Sequence, residues 1–190
     1  MSDLIITAND AMAFLGLKSK PDDFPIIEAI VLGIDKQVKS YCGRCFNMVT
    51  GAVEYLDGDG TSKLWLEDYP VANVVLNIDS DQDGTFDEDD EDVEDYVIYP
   101  TKGLIYYRLV FPSGYRNIRA TYDKGFLDAD IPADLKLLCK IETKAMYERL
   151  QEGSMGLKSY SVGGMSKTFD AKLSPWSKMV LDENYVKMRV

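Results

Sequence analysis

The sequence predicts an α+β fold: a small helical bundle with an antiparallel β insertion between its second and third main helices, and an extended C-terminal tail. Three observations carry this. Apolar residues recur at helical spacing over residues 24–41 and again over 131–152. Between them, residues 46–126 switch to short β-branched and aromatic runs separated by Gly- and Asp-containing turns. Beyond residue 153 the chain is Gly- and Ser-rich, with apolar residues too sparse for a core of its own. The expected organisation is therefore N-terminal helices over 1–45, a β insertion over 46–126 with an acidic loop at 79–95, a long helix completing the bundle over 127–153, and a docking tail over 154–190.

Each element has a local cause. Thr7-Ala8-Asn9-Asp10 reads as a capping box, with an acid three residues after the Thr7 cap. The short helix that follows offers Met12, Phe14, Leu15 and Leu17 as apolar positions. A longer helix runs from about Phe24 to Tyr41, with Ile27, Ile30, Val31, Ile34, Val38 and Tyr41 on one stripe. Pro25 suits its first turn and Gly43 its stop. Val53 to Leu56, then Asp57-Gly58-Asp59-Gly60-Thr61, then Lys63 to Leu66 read as strand, hairpin turn, strand. Val71 to Ile78, Asp95 to Tyr99, Leu104 to Val110 and Asn117 to Tyr122 bring the insertion to about six strands. Asp130 is the expected N-cap of the last long helix, with Pro132 in its first turn and Leu135, Leu138, Ile141, Ala145, Met146 and Arg149 at helical spacing. In the tail, a weak strand pattern spans Lys158 to Phe169, and Ser174-Pro175 opens a short helix.

Composition excludes several function classes. The 190 residues carry a net charge of −11 and no histidine. Without histidine there is no Ser/His/Asp or Cys/His catalytic set and no His-ligated zinc or iron site. No nucleophile–base pair or Gly-rich phosphate loop is present, so an enzyme is not expected. No apolar run approaches the ~18 residues of a membrane span, and the first residues lack the basic and apolar regions of a signal peptide. Cys42, Cys45 and Cys139 are too few for a secreted disulfide framework, which favours synthesis in a reducing compartment. The pair Cys42-Gly43-Arg44-Cys45 closes a helix rather than opening one, so a structural role fits better than redox chemistry.

The charge is localised. Residues 79–95 hold eleven acids and no base, and the rest of the chain is neutral. A protein that grips phosphates concentrates positive charge instead. Within this stretch, Asp79-Ser80-Asp81-Gln82-Asp83-Gly84-Thr85-Phe86-Asp87 matches the opening of a calcium loop. Alternate carboxylates would converge on one hard cation, with Asp79, Asp81, Asp83, the Thr85 carbonyl, Asp87 and Asp90 as the candidate ligands. Asp90 stands where Glu is usual, and its shorter reach lowers the expected affinity. The other reading is a solvated acidic loop without an ion. No cofactor is required by the sequence; Ca2+ is the one candidate.

Tyr41-Cys42-Gly43-Arg44-Cys45-Phe46 reads as a Y-x-G-R-x-F motif. It is followed by Asp95-Tyr96-Val97-Ile98, the segment Ile118 to Phe126, Ile131-Pro132-Ala133-Asp134-Leu135-Lys136, the stretch Gly156 to Gly164, and Leu173-Ser174-Pro175 through Tyr185. In this order the motifs together resemble the head–tail connector family of tailed bacteriophages, also called adaptor or head-completion proteins. The acidic insertion and the Cys42/Cys45 pair depart from it. The resemblance implies a structural virion protein of the head–tail neck, made in the bacterial host cytoplasm. It would form a ring, of twelve subunits as a rule, beneath the portal protein, extending the DNA channel. Its partners would be the portal, neighbouring copies, a stopper or tail-completion protein, and DNA passing without tight binding; no membrane is involved. Leu157, Tyr160, Val162, Phe169, Trp176, Val180 and Leu181 are the tail residues expected to dock on a partner. Two alternatives stand beside this: a calcium-stabilised β module of a surface or adhesion protein, and a tail-completion or stopper protein of the neck.

Overall fold

A computed structural model describes residues 4–17, 21–81, 83–86, 91–153, 159–162, 165–168 and 173–186. The chain divides into a helical unit, Met1–Arg44 with Asp130–Val190, and a β unit, Cys45–Ala129.

The helical unit is built on α1 (Ala8–Leu15), α2 (Phe24–Cys42), α3 (Ala133–Gln151) and α4 (Pro175–Asn184). The capping box at Thr7 forms as expected: its hydroxyl accepts from the Asp10 N–H at 3.1 Å, and the Asp10 carboxylate accepts from the Thr7 N–H at 3.0 Å. Pro25 lies in the first turn of α2, and Gly43 ends that helix with its N–H on the Lys39 carbonyl. Ile27, Val31, Ile34 and Val38 form the buried stripe of α2, while Tyr41, expected on that stripe, is exposed. Its hydroxyl instead donates to Asp182 of α4 at 2.8 Å.

Two departures concern α3. Asp130 does not cap it. Pro132 holds the cap position, and the Asp134 carboxylate in the first turn accepts from the Leu135 N–H and from the Tyr185 hydroxyl. The buried face is also rotated from the purely apolar stripe. It runs through Leu135, Leu138, Cys139, Glu142, Thr143 and Tyr147, because polar Glu142 and Thr143 find partners inside. Thr143 donates back to the Cys139 carbonyl at 2.7 Å. Glu142 accepts from the Ser174 N–H at 3.0 Å and from the Ser177 hydroxyl, fastening α4 at its N-terminus to α3.

A buried acceptor stripped from its donors leaves them unsatisfied, at about 1.5–3 kcal/mol when the acceptor is charged. Glu142→Ala is therefore expected to destabilise the helical unit by about 2–3 kcal/mol, while Glu142→Gln, which keeps one acceptor oxygen, loses about 1 kcal/mol. Thermal melts of the two variants, with amide exchange at residues 177–181, check the order.

The β unit contains β1 (Val49–Gly58), β2 (Lys63–Trp65), β3 (Val71–Ile78), β4 (Glu91–Asp92), β5 (Tyr96–Tyr99), β6 (Leu104–Tyr107) and β7 (Gly114–Lys124). They form two antiparallel sheets, ordered β1-β7-β3-β4 and β2-β6-β5. Leu64, Leu66, Val71, Leu76, Ile78, Ile105, Phe111, Ile118, Ala120 and Tyr122 are among the buried residues of one core shared by both sheets. The hairpin expected at Asp57-Gly58-Asp59-Gly60-Thr61 does not exist: β1 pairs with β7 and β2 with β6. The turn residues serve a crossover between sheets instead. Asp57 accepts from the Arg116 N–H, Gly58 donates to the buried Asn117 side chain, and the Thr61 carbonyl accepts from Phe111. Asp-Gly favours a chain reversal locally, but long-range partners decide which strand follows.

The tail contains a two-stranded ladder, β8 (Ser159–Val162) with β9 (Met165–Thr168), where the weak strand pattern lies. α4 begins at the expected Ser174-Pro175, with the Ser174 hydroxyl accepting from the Ser177 N–H.

Candidate functional site

The acidic loop leaves the four-stranded sheet at the end of β3. Asp79 is held there by its own N–H, which donates to the Asn117 carbonyl at 3.0 Å. Its side chain is 3% exposed. One carboxylate oxygen accepts from the Gly84 N–H at 3.0 Å, which folds the loop back on its start. Asp83 accepts from the Thr85 N–H and hydroxyl at 2.7 and 2.6 Å, and Asp81 accepts from the Asp83 N–H at 3.2 Å. Phe86 then returns to the sheet, its ring 5.6 Å from that of Tyr55 and beneath the Arg119 guanidinium at 4.8 Å. The result brings one oxygen from each of Asp79, Asp81 and Asp83 to within 4.8 Å of one another.

Charge crowding shows in the titration of these groups. The Asp83 N–H favours ionised Asp81, yet loss of solvent and the crowding of the Asp79 and Asp83 carboxylates together raise the Asp81 pKa. Asp83 moves the other way, lowered by the Thr85 hydroxyl and N–H. Three of the six expected ligands are thus brought together. The Thr85 N–H and hydroxyl go to Asp83, leaving its carbonyl, the expected ligand atom, outside those bonds, and Asp87 and Asp90 lie outside the described residues.

Of the expected docking residues, Leu157 and Phe169 lie outside the described residues, and Tyr160 and Val162 are described only as backbone of β8. Trp176 is 41% exposed and Val180 half-buried. Leu181 is fully buried in the helical unit, with Leu173 and Tyr185 also buried there; it serves that unit's own core. An exposed apolar face that sequence reading missed lies on the three-stranded sheet. Trp65, Val97, Tyr99 and Tyr106 share one side of it, since Tyr106 is opposite Val97, and Trp65 and Tyr99 are both opposite Leu104. The alternation in β2, β5 and β6 carried that signal, but each strand is too short to show which side is covered.

The cysteines are free thiols. Burial raises the Cys42 and Cys139 pKa values to about 12 each, whereas Cys45 is exposed. A thiol reacts as thiolate. Native protein is therefore expected to consume one equivalent of a thiol reagent at neutral pH, at Cys45, and three after unfolding; peptide mapping of the labelled site checks this.

No helix among the described residues is long and apolar enough to cross a membrane. Residues 4–181 match the family model described as head completion protein, and the chain belongs to that family. Among solved structures, it resembles a chain in the neck of an empty GTA particle computed with C6 symmetry. That match has 15% identity and a TM-score of 0.55, covering 98% of this chain and 91% of the other. A second resemblance is to a chain in the neck of a native GTA particle computed with C12 symmetry, at 15% identity and a TM-score of 0.46, covering 100% and 96%. Comparison with curated proteins gives no match.

Proposed function

We propose that this chain is a ring-forming neck protein that sits beneath the portal, extends the DNA channel and presents the docking surface for a stopper or tail-completion protein. The observation that carries the reading is the family match across residues 4–181, which takes in both the helical and the β unit. The same coverage disfavours a free-standing calcium-dependent adhesion module, which would need only the β unit. Likeness to a neck chain in a particle treated with six-fold symmetry supports a closed ring whose order is compatible with twelve.

A ring of identical subunits needs two different faces of the chain to meet. Exposed aromatic side chains at Trp65, Tyr99 and Tyr106 suit the burial such a contact requires. The charge suits a channel that DNA traverses without adhering: net −11, with the excess concentrated at 79–95. A structural role of this kind needs no catalytic group. Tail residues Trp176 and Val180, with Leu157, Tyr160, Val162 and Phe169, are the proposed portal or stopper contacts.

Particles assembled without this chain test the reading. Heads are expected to fill with DNA and remain tailless, with infectivity or transfer lost; complementation in trans should restore tails. Tailed, active particles lacking the chain would contradict it.

A further inference from the structure

We propose that Asp79, Asp81 and Asp83 form a calcium site at the end of β3. The site is more than a run of acids. Asp79 is buried, and its Oδ1 has no hydrogen-bond partner among the described residues. A buried carboxylate oxygen left without a donor costs on the order of 1–3 kcal/mol or more, and a cation satisfies it. The other Asp79 oxygen is already held by the Gly84 N–H, so the orphaned atom is fixed in place rather than free to turn toward water.

The donor set selects the ion class. Three carboxylates offer hard oxygen ligands only, which suits calcium or magnesium rather than zinc or copper. Oxygens that all lie within 4.8 Å of one another are close enough to share one ion. A magnesium octahedron, at about 2.0–2.1 Å, is tighter and holds its waters, so calcium is favoured. The ion pairs found among the described residues, Lys39–Asp35, Lys124–Asp68 and Lys144–Glu148, leave all three acids out. Arg119, near the loop through Phe86, spends its guanidinium on Asn77 at 3.0 and 3.2 Å. Three protein carboxylates leave room for water, so affinity near the weak end, about 10⁻⁴–10⁻³ M, is expected.

The test uses the full-length purified protein, stripped of metal, and is independent of ring formation. Calcium chloride is titrated calorimetrically up to about 10 mM, well above the expected dissociation constant, with amide NMR shifts followed at Gly84 and Thr85. One saturable event is expected, with one ion per chain. Asp81→Asn and Asp83→Asn, both at exposed positions that leave the fold intact, should each weaken it by about tenfold or more, as loss of a charged ligand does. Glu94→Gln and Asp95→Asn, which remove equal charge from the same loop outside the cluster, should change affinity by less than about twofold. Magnesium chloride should bind at least about tenfold more weakly. Absence of saturable binding, equal weakening by the Glu94 and Asp95 variants, unchanged binding in the Asp81 and Asp83 variants, or magnesium binding as tight as calcium would each overturn the assignment.

Discussion

Raising the pH from about 9 to 11 is expected to remove several kcal/mol of stability from the helical unit. The cause is two buried thiols. Burial favours the neutral form, so folded Cys42 and Cys139 keep their protons to about pH 12. Unfolded, both titrate near their ordinary value of 9.0. Between these values the unfolded state binds fewer protons than the native state, so stability is complete below pH 9 and falls as pH rises. Each thiol contributes a slope of at most about 1.4 kcal/mol per pH unit. Together they remove up to about 5 kcal/mol by pH 11, comparable with the lower end of total domain stability. Tyr185 adds to the loss above pH 10, because burial and its bond to Asp134 raise its pKa as well. Chemical denaturation at a series of pH values measures the slope. Cys139→Ala should flatten it by roughly half over pH 9–10; a flat profile in the unmodified protein would contradict the stated burial.

Gly125→Ala is expected to damage the β unit severely. Gly125 has φ +85, a conformation that residues with a side chain adopt at a cost. An added Cβ would also lie 2.3 Å from the Asn47 carbonyl oxygen and 2.9 Å from that of Phe46. Those are backbone atoms, and they cannot swing aside. The Phe46 carbonyl accepts from the Phe126 N–H at 2.7 Å, and the Gly125 N–H donates to the Pro70 carbonyl at 2.9 Å. Relief of the clash therefore breaks the junction where β7 leaves the sheet. A loss of about 4 kcal/mol or more is expected, in the range reserved for such backbone failures. Gly51→Ala is the control, also at positive φ but with open space around its Cβ; it should cost only about 1–2 kcal/mol. Urea melts of the two variants should differ clearly in midpoint.

Gly125 also shows what the sequence could and could not say. Its segment, Ile118 to Phe126, is readable as a family-like motif, but the reason for glycine there is the approach of residues 46–47, distant in sequence. Helix ends were legible for the same reason that they are local: Thr7, Pro25, Gly43 and Ser174 act within a turn of their own positions. Strand pairing was not. The Asp57–Thr61 turn signal is local and correct as a change of direction, yet β1 found β7 about sixty residues away. The buried faces of α2 and α3 were read from apolar periodicity, which cannot see Asp35 or Glu142. Asp35 is buried because it accepts from the Ile5 N–H and pairs with Lys39. In the acidic loop, alternate spacing identified Asp79, Asp81 and Asp83 as a set. That Asp79 alone is buried follows from its place at the end of a sheet strand.

A reconstruction of the particle neck, made without imposed symmetry and with this chain identified by its own side-chain density, tests the central claim most directly. The account predicts a closed ring of copies between portal and tail, each fitting the helical and β units described above, with an open axial channel wide enough for duplex DNA. A neck that lacks the chain, or the chain found as isolated copies elsewhere on the particle, would contradict it.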